Sequence, residues 1–330
     1  MIPKKIKLIV RKLPPVYFLL SLLRRLFCAF RPGGEYWKYE FNSLVISFFL
    51  KKIQLFISNK GYNLEILRNN KFIIILDNGI RFYWNPFDHT DLIGMPLRGD
   101  YEPECVIIAK ELIKEGDIVF DIGANFGWYS CHFSKFVGGS GRVHIFEPTD
   151  IMIRLEENIQ LNRFQDIGIL NNIALSDKDC DESLFVPHKL GTPFASLRQH
   201  TSYRLPHEKI NVPAIKIDTY VKAKEITKIN FMKIDIEGAE LPVLKGATHT
   251  LSSFSPIIMF ELQEAHTKYF NYLPIDLMQF LNKFGYLIFE IRFLNELILK
   301  KVTDFNDVSS YNFVACKNPD ILLKAFKKDE

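Results

Sequence analysis

From Gly116 onward, short apolar runs alternate with stretches in which apolar side chains recur every three or four positions. Such alternation predicts parallel strands joined by helices that cover both faces of one sheet. Ile118-Val119-Phe120-Asp121 reads as the first strand, and Tyr129, Phe133, Phe136 and Val137 as one face of the first helix, stopped by Gly138-Gly139. Val143 to Phe146 is the second predicted strand, and Ile151, Met152, Leu155 and Ile159 stripe the second helix. Further strands are expected near 167–174, 229–234 and 257–262, then a helix on Leu277, Phe280, Leu281 and Phe284, then two closing strands near 286–291 and 311–316. Upstream, Phe72 to Leu76 and Ile80 to Trp84 flank Asp77-Asn78-Gly79. Asn-Gly between β-branched and aromatic runs predicts a hairpin.

Composition and charge divide this picture into segments. Hydrophobic residues are 48% of the 330, with 29 Phe, which excludes a disordered chain. Residues 1–60 carry twelve Lys and Arg against two Glu, net +10, whereas the remainder carries thirty against thirty-six, net −6. A body with excess acid is a poor general nucleic-acid binder, since duplex affinity rests on cationic contacts to phosphate. We therefore read 1–60 as a basic, aromatic-rich helical extension, 61–100 as hairpin and linker, and 101–330 as the main domain. The apolar run from Val16 to Leu23 is far short of the roughly 20 residues that cross a bilayer. No small-residue cleavage site follows it, so no export signal is read. Five scattered cysteines without a C-x-x-C pair fit a reducing, cytoplasmic setting. The basic extension is read as a cap on the main domain, with peripheral contact to an anionic membrane as the other reading. Oligomeric state is left open.

The chemistry starts at Asp121-Ile122-Gly123-Ala124-Asn125-Phe126-Gly127, between the first strand and first helix. Gly123 permits a sharp bend with a ligand against it, Asn125 tolerates positive φ, and Gly127 admits close packing at the helix start. Glu147 ends the second strand, where a carboxylate can accept both hydroxyls of a ribose. The dinucleotide fingerprint G-x-G-x-x-G is absent. An acidic residue ahead of the glycines suits a ligand that carries an ammonium and a sulfonium, which favours S-adenosyl-L-methionine over NAD.

These pieces, with Tyr101-Glu102-Pro103-Glu104, Phe146-Glu147-Pro148, Ala174-Leu175-Ser176-Asp177 and Lys233-Ile234-Asp235-Ile236-Glu237-Gly238-Ala239-Glu240, resemble the FkbM family of S-adenosylmethionine-dependent methyltransferases. The resemblance covers Tyr101 to Cys316 and leaves out the first hundred residues and Cys180 to Pro213, read as an insertion beside the acceptor pocket. It implies an α/β class I methyltransferase (Rossmann-like) fold, with a seven-stranded, mostly parallel sheet, helices on both faces, and an antiparallel last strand. It also implies that Asp121, Gly123, Asn125 and Gly127 hold the amino-acid end of the donor, Glu147 its ribose, and Asp177 lies near its adenine.

A hydroxyl acceptor needs its proton removed or its pKa lowered. Asp235 and Glu237, just after the fourth strand, and Glu261 and His266, after the fifth, are the candidate catalytic residues. The other reading of Asp235 is a cap for a helix opening at Gly238. Asp235 with Glu261 is also weighed as a magnesium site, but no metal is assigned. Ser196 falls in a family-like patch without an assigned role, and His144 is read as structural. The resulting function is an O-methyltransferase acting on a hydroxyl of a small molecule or glycan, that is, a glycan, glycolipid or secondary metabolite. A nicotinamide-dependent oxidoreductase and a non-catalytic membrane-surface protein that retains the fold are the alternatives.

Overall fold

The computed structural model describes residues 63–66, 72–84, 101–188, 194–200, 205–293 and 296–326. Readings of residues 1–60 and of the linker after Trp84 lie outside them. The chain divides between Tyr101 and Glu102 into two units.

In the first unit β1 (Asn63–Ile66), β2 (Phe72–Ile75) and β3 (Arg81–Trp84) form an antiparallel sheet in that order. The predicted hairpin is β2–β3, with Phe72 opposite Trp84 and their rings edge to face at 6.0 Å. Gly79, at φ 84°, closes the loop with its N–H on the Leu76 carbonyl. β1 was not anticipated.

The second unit runs α1 (Pro103–Leu112), β4 (Ile118–Ile122), α2 (Trp128–Val137), β5 (Arg142–Phe146), α3 (Met152–Leu161) and β6 (Gly168–Asn171). β7 (Ala174–Leu175), β8 (Cys180–Pro187), β9 (His207–Ile215) and α4 (Ile217–Ala223) follow. Then come β10 (Phe231–Ile234), α5 (Glu240–Lys245), α6 (Thr248–Ser253), β11 (Ile257–Glu261) and α7 (Glu264–Thr267). The chain closes with α8 (Pro274–Lys283), β12 (Leu287–Phe293), β13 (Leu297–Lys301), β14 (Asn312–Cys316) and α9 (Asp320–Phe326).

The main sheet has the order β13-β12-β14-β11-β10-β4-β5-β6. β6, β5, β4, β10 and β11 pair in parallel, and β14 runs antiparallel between β11 and β12. This sheet has eight strands where seven were expected. The addition is β13, an antiparallel return along the outer edge of β12 whose side chains are only half buried or exposed. An edge strand with little burial leaves little hydrophobic pattern to read.

A second difference concerns 167–174, read as one strand. It splits at Asn171-Asn172 into β6, in the main sheet, and β7, which pairs with β9 in a separate three-stranded sheet of order β7-β9-β8. The expected insertion is therefore mostly the β8–β9 hairpin, paired from Cys180↔Ala214 to Pro187↔His207. Its alternation of buried and exposed side chains is broken on β8, which hid it.

The core sits on the central strands, where every residue of β10 is buried. Phe120 and Phe146 both meet the Tyr220 ring in T-shaped contacts, with Phe146 and Tyr220 at 4.8 Å. His144 Nδ1 lies 2.8 Å from the Tyr220 hydroxyl, and burial drops the imidazole to about 4, so it is a neutral core group as its strand position implied. No helix among the described residues is long and apolar enough to cross a membrane.

Candidate active site

The turn after β4 is built by packing more than by open space. Gly123 has φ 81°, and a Cβ there would fall 1.9 Å from the Asp235 carbonyl oxygen and 2.8 Å from Ile236 Cγ2. The room that glycine supplies on its Cβ side is thus taken by the exit of β10. Gly123 and Ala124 both donate to the Phe146 carbonyl, at 3.0 and 3.1 Å, which pins the turn to the end of β5. Asn125 has φ 50° and Gly127 φ 91°, and a Cβ on Gly127 would sit 3.2 Å from Leu155 Cγ on α3.

Glu147 is the strut of this turn. Its Oε2 accepts from the Asn125 N–H at 2.9 Å, and its Oε1 from the Thr149 N–H at 2.9 Å and hydroxyl at 2.6 Å. Burial raises its pKa against those hydrogen bonds. Asn172 donates to the Glu147 carbonyl at 2.8 Å. Asp121 lies wholly buried beneath the turn, where its Oδ2 accepts from the Ser130 hydroxyl at 2.6 Å and its Oδ1 has no hydrogen-bond partner among the described residues. Burial pushes its carboxyl up to about 6, with the Lys233 ammonium opposing. Asp177 is not gathered here. It follows β7 in the second sheet, where its Oδ1 accepts from Ser176, and the residues after β6 are instead Asn171 and Asn172.

The four candidate catalytic residues fall into two groups. Asp235 pairs with Lys233 Nζ at 2.8 Å, and although burial works against its charge, the ammonium holds the carboxyl below its ordinary range. Glu261, hydrogen-bonded to Asp235, is pushed up to about 10 by burial and by the Asp235 charge, so it keeps its proton at neutral pH. Gln263 Nε2 donates to Glu261 Oε1 at 2.6 Å. Asp235 is not a helix cap: α5 opens at Glu240, whose own Oε1 accepts from the Ile236 and Gly238 N–H groups at 3.2 and 3.1 Å.

Glu237 and His266 are the second group, with Glu237 Oε2 3.0 Å from His266 Nδ1. Their meeting is set by backbone. Glu237 adopts φ 55°, Gly238 has φ 101°, and a Cβ on Gly238 would strike the His266 carbonyl at 2.8 Å. The loop after β10 therefore lies directly on α7. The Ser196 hydroxyl donates to the Glu237 carbonyl at 2.9 Å and Tyr272 donates to the Gly238 carbonyl at 2.9 Å, which gives Ser196 a bracing role. Burial alone would lower the His266 pKa, but the hydrogen bond to Glu237 and its charge raise it overall. His200 joins them, stacked on Tyr269 at 4.5 Å and on His266 at 5.2 Å.

Sequence reading missed Lys233, Tyr129, Glu102 and His200. Lys233 is 5% exposed, lies 4.3 Å from the Tyr129 ring centroid, and faces Asp121 across the parallel β4–β10 pair. Tyr129 in turn donates to Glu102 Oε2 at 2.5 Å. A lysine inside the apolar run Phe231 to Ile234 was the available signal. His200 had none, because its part of the chain reads as loop.

With the edge strand β13 left out, the strand order 3-2-1-4-5-7-6 in chain terms, its reversed seventh strand, and a glycine turn at the carboxyl edge define a class I methyltransferase fold. The chain belongs to the FkbM methyltransferase family, since the family model described as Methyltransferase FkbM domain matches residues 121–288. It is 33% identical over 165 residues to the hexuronic acid methyltransferase AglP of Haloferax volcanii, a match covering 49% of this chain and 62% of that one. The chain thus spans less than two thirds of that relative's length. Among solved structures it is similar to the methyltransferase FkbM of Methylobacillus flagellatus KT, at TM-score 0.38 and 18% identity, covering 60% of this chain and 43% of that one. The O-methyltransferase of Bacillus cereus in complex with SAH shows TM-score 0.39 and 11% identity over 66% of this chain and 82% of that one.

Proposed function

We propose that this protein transfers a methyl group from S-adenosyl-L-methionine to a hydroxyl of a glycan or small molecule. One observation carries the reading. The Asp121 to Gly127 turn, braced by Glu147, opens onto the same sheet edge as the Glu237–His266 pair, so a donor half and an acceptor half share the carboxyl ends of β4, β5, β10 and β11. A glycan acceptor is supported by the relative whose name gives hexuronic acid as its substrate.

The donor supplies a methyl group on a positively charged sulfur. The residues present fit it. Asp121 Oδ1 is a buried acceptor for an ammonium, and Glu147 Oε2, with one partner, has a lone pair left for a ribose hydroxyl. Because Oε1 already accepts twice from Thr149, Oε2 is the oxygen that would hold a ribose hydroxyl. Displacement at a methyl carbon is largely a matter of alignment, so positioning provides much of the rate. The remaining task is the acceptor proton. Glu237 orients the His266 ring through Nδ1, which puts the imidazole forward as the base. Asp235 and Glu261 are engaged with Lys233 and each other, and so serve as a fixed electrostatic floor.

Two measurements test this. Truncating His266 to alanine is expected to lower kcat by about 100-fold to 10,000-fold, the range of general-base contributions, with S-adenosylhomocysteine affinity unchanged in calorimetry. Equal kcat in the two proteins would remove the base from His266. Glu147→Ala is expected to weaken S-adenosylhomocysteine binding by roughly 10-fold to 100-fold, the loss of a charged hydrogen bond of about 1.5–3 kcal/mol. Unchanged calorimetric affinity would take the ribose away from Glu147.

A further inference from the structure

We infer that His200, Glu237 and His266 form a binding site for a divalent first-row transition ion, which would hold and acidify the acceptor hydroxyl. The inference rests, for its role though not for its binding, on the reading of Glu237 and His266 as the acceptor half. Each of the three residues offers one ligand atom, and these atoms lie within 4.8 Å of one another. Two imidazoles and a carboxylate match the borderline preference of zinc, cobalt, iron and nickel, and fit magnesium or calcium poorly, since those ions favour all-oxygen sets.

The spacing is close to what an ion needs. Bonds of about 2.1 Å in tetrahedral geometry put neighbouring ligand atoms roughly 3.4 Å apart. Glu237 Oε2 and His266 Nδ1 stand at 3.0 Å, and all three ligand atoms fall within 4.8 Å of one another, so any separation above that ligand spacing must close on binding. The ligands are also held from behind, as binding sites require. Ser196 fixes the Glu237 carbonyl, Tyr272 and Glu240 fix Gly238, and the Tyr269 ring backs His200 at 4.5 Å. His200 is 1% exposed, so its ring is held inside the site and not in solvent. No helical or sheet requirement explains three such groups at one point.

Three protein ligands leave coordination positions open, the mark of a catalytic rather than a structural site. An acceptor hydroxyl entering one of them would lose its proton to bulk water more readily, and its oxygen would then bond to the methyl carbon as the carbon–sulfur bond breaks and the sulfur leaves with that electron pair as S-adenosylhomocysteine. In this state His266 acts as a ligand, and the ion takes over the activation that the imidazole otherwise provides. A sugar offers a second oxygen beside the hydroxyl, and a hexuronic acid a carboxylate, either of which would chelate.

The probe is cobalt(II) alone, added to full-length protein stripped with a chelator and followed by its visible absorption. One ion per chain is expected to bind with the intense bands of nitrogen and oxygen ligation at low coordination number. His200→Ala is expected to weaken binding by more than about 100-fold, since even loss of an outer supporting group costs 10-fold to 100-fold. Asp235→Asn is expected to bind cobalt as the unaltered protein does. Should His200→Ala fail to fold, Glu237→Gln, which keeps the side-chain shape, carries the same comparison. Equal cobalt affinity with and without His200, absence of cobalt binding in folded protein, or loss on Asp235→Asn instead would each overturn the site. Calorimetry with S-adenosylhomocysteine on the same samples reads the donor half separately. Donor binding without cobalt sinks the metal inference alone, and cobalt binding without donor sinks methyl transfer alone.

Discussion

Replacing Lys233 with methionine is expected to lower the unfolding free energy by about 3–5 kcal/mol, the cost of stripping one partner from a buried ion pair. The side chain is nearly inaccessible, yet Asp235 pairs with it at 2.8 Å and the charges of Glu102 and Asp121 act on it as well. Methionine would fill most of the space beside the Tyr129 ring but leave those carboxylates buried without a cation. The desolvation cost of the carboxylates would then stand without offset. A second substitution sharpens the test. Lys233→Met combined with Asp235→Asn is expected to be less destabilised than the sum of the single changes, with a coupling of about 0.5–3 kcal/mol. Urea titrations of the four proteins measure it, and additivity, or a Lys233→Met protein as stable as the original, would show that the ammonium does not bind these carboxylates together.

Gly123→Ala is the other severe change. An alanine there meets the Asp235 carbonyl at 1.9 Å and Ile236 Cγ2 at 2.8 Å, in a backbone conformation of φ 81°. The obstacle is backbone, held in register because Asp235 N–H donates to the Ile122 carbonyl at 3.0 Å. Relief requires the ends of β4 and β10 to separate. A loss above about 4 kcal/mol follows, in the range reserved for strain and overpacking in a core. Gly285 is the comparison, because its φ is also 81° but nothing lies within 4 Å of its Cβ direction. Gly285→Ala is expected to cost only about 1–2 kcal/mol, the intrinsic penalty of the left-handed region. Similar melting temperatures for the two variants would refute the crowding argument. The same experiment reads donor binding, since the displaced turn carries Asn125 away from Glu147 Oε2.

The interior of the sheet was legible because its residues leave little choice. β4, β5, β10 and β11 read as continuous apolar runs closed by Asp121, Glu147, Asp235 and Glu261 or their neighbours, which is how strands covered on both faces must read. β13 and the β8–β9 hairpin were not, because exposed or irregularly buried strands owe their pairing to partners distant in the chain. The site shows the same division. Glu147 and the glycine turn were each singled out in the sequence, but the hydrogen bond that joins them, across 22 positions, was not. Lys233 could have been flagged as a charge inside a buried run, but its partners Glu102 and Tyr129 come from α1 and α2.

Local sequence by itself determined the order of the buried central strands, the glycine turn and the acidic residues at the strand ends, because periodicity and φ preference act over a few residues. Only the tertiary structure decided which of four catalytic candidates would be neutralised by Lys233 and which would meet a histidine. Charge interactions fall off within a few ångströms and depend on burial, and both are properties of packing between segments. Asp235 and Glu237 are two residues apart in the chain, yet one faces a buried ammonium and the other an imidazole.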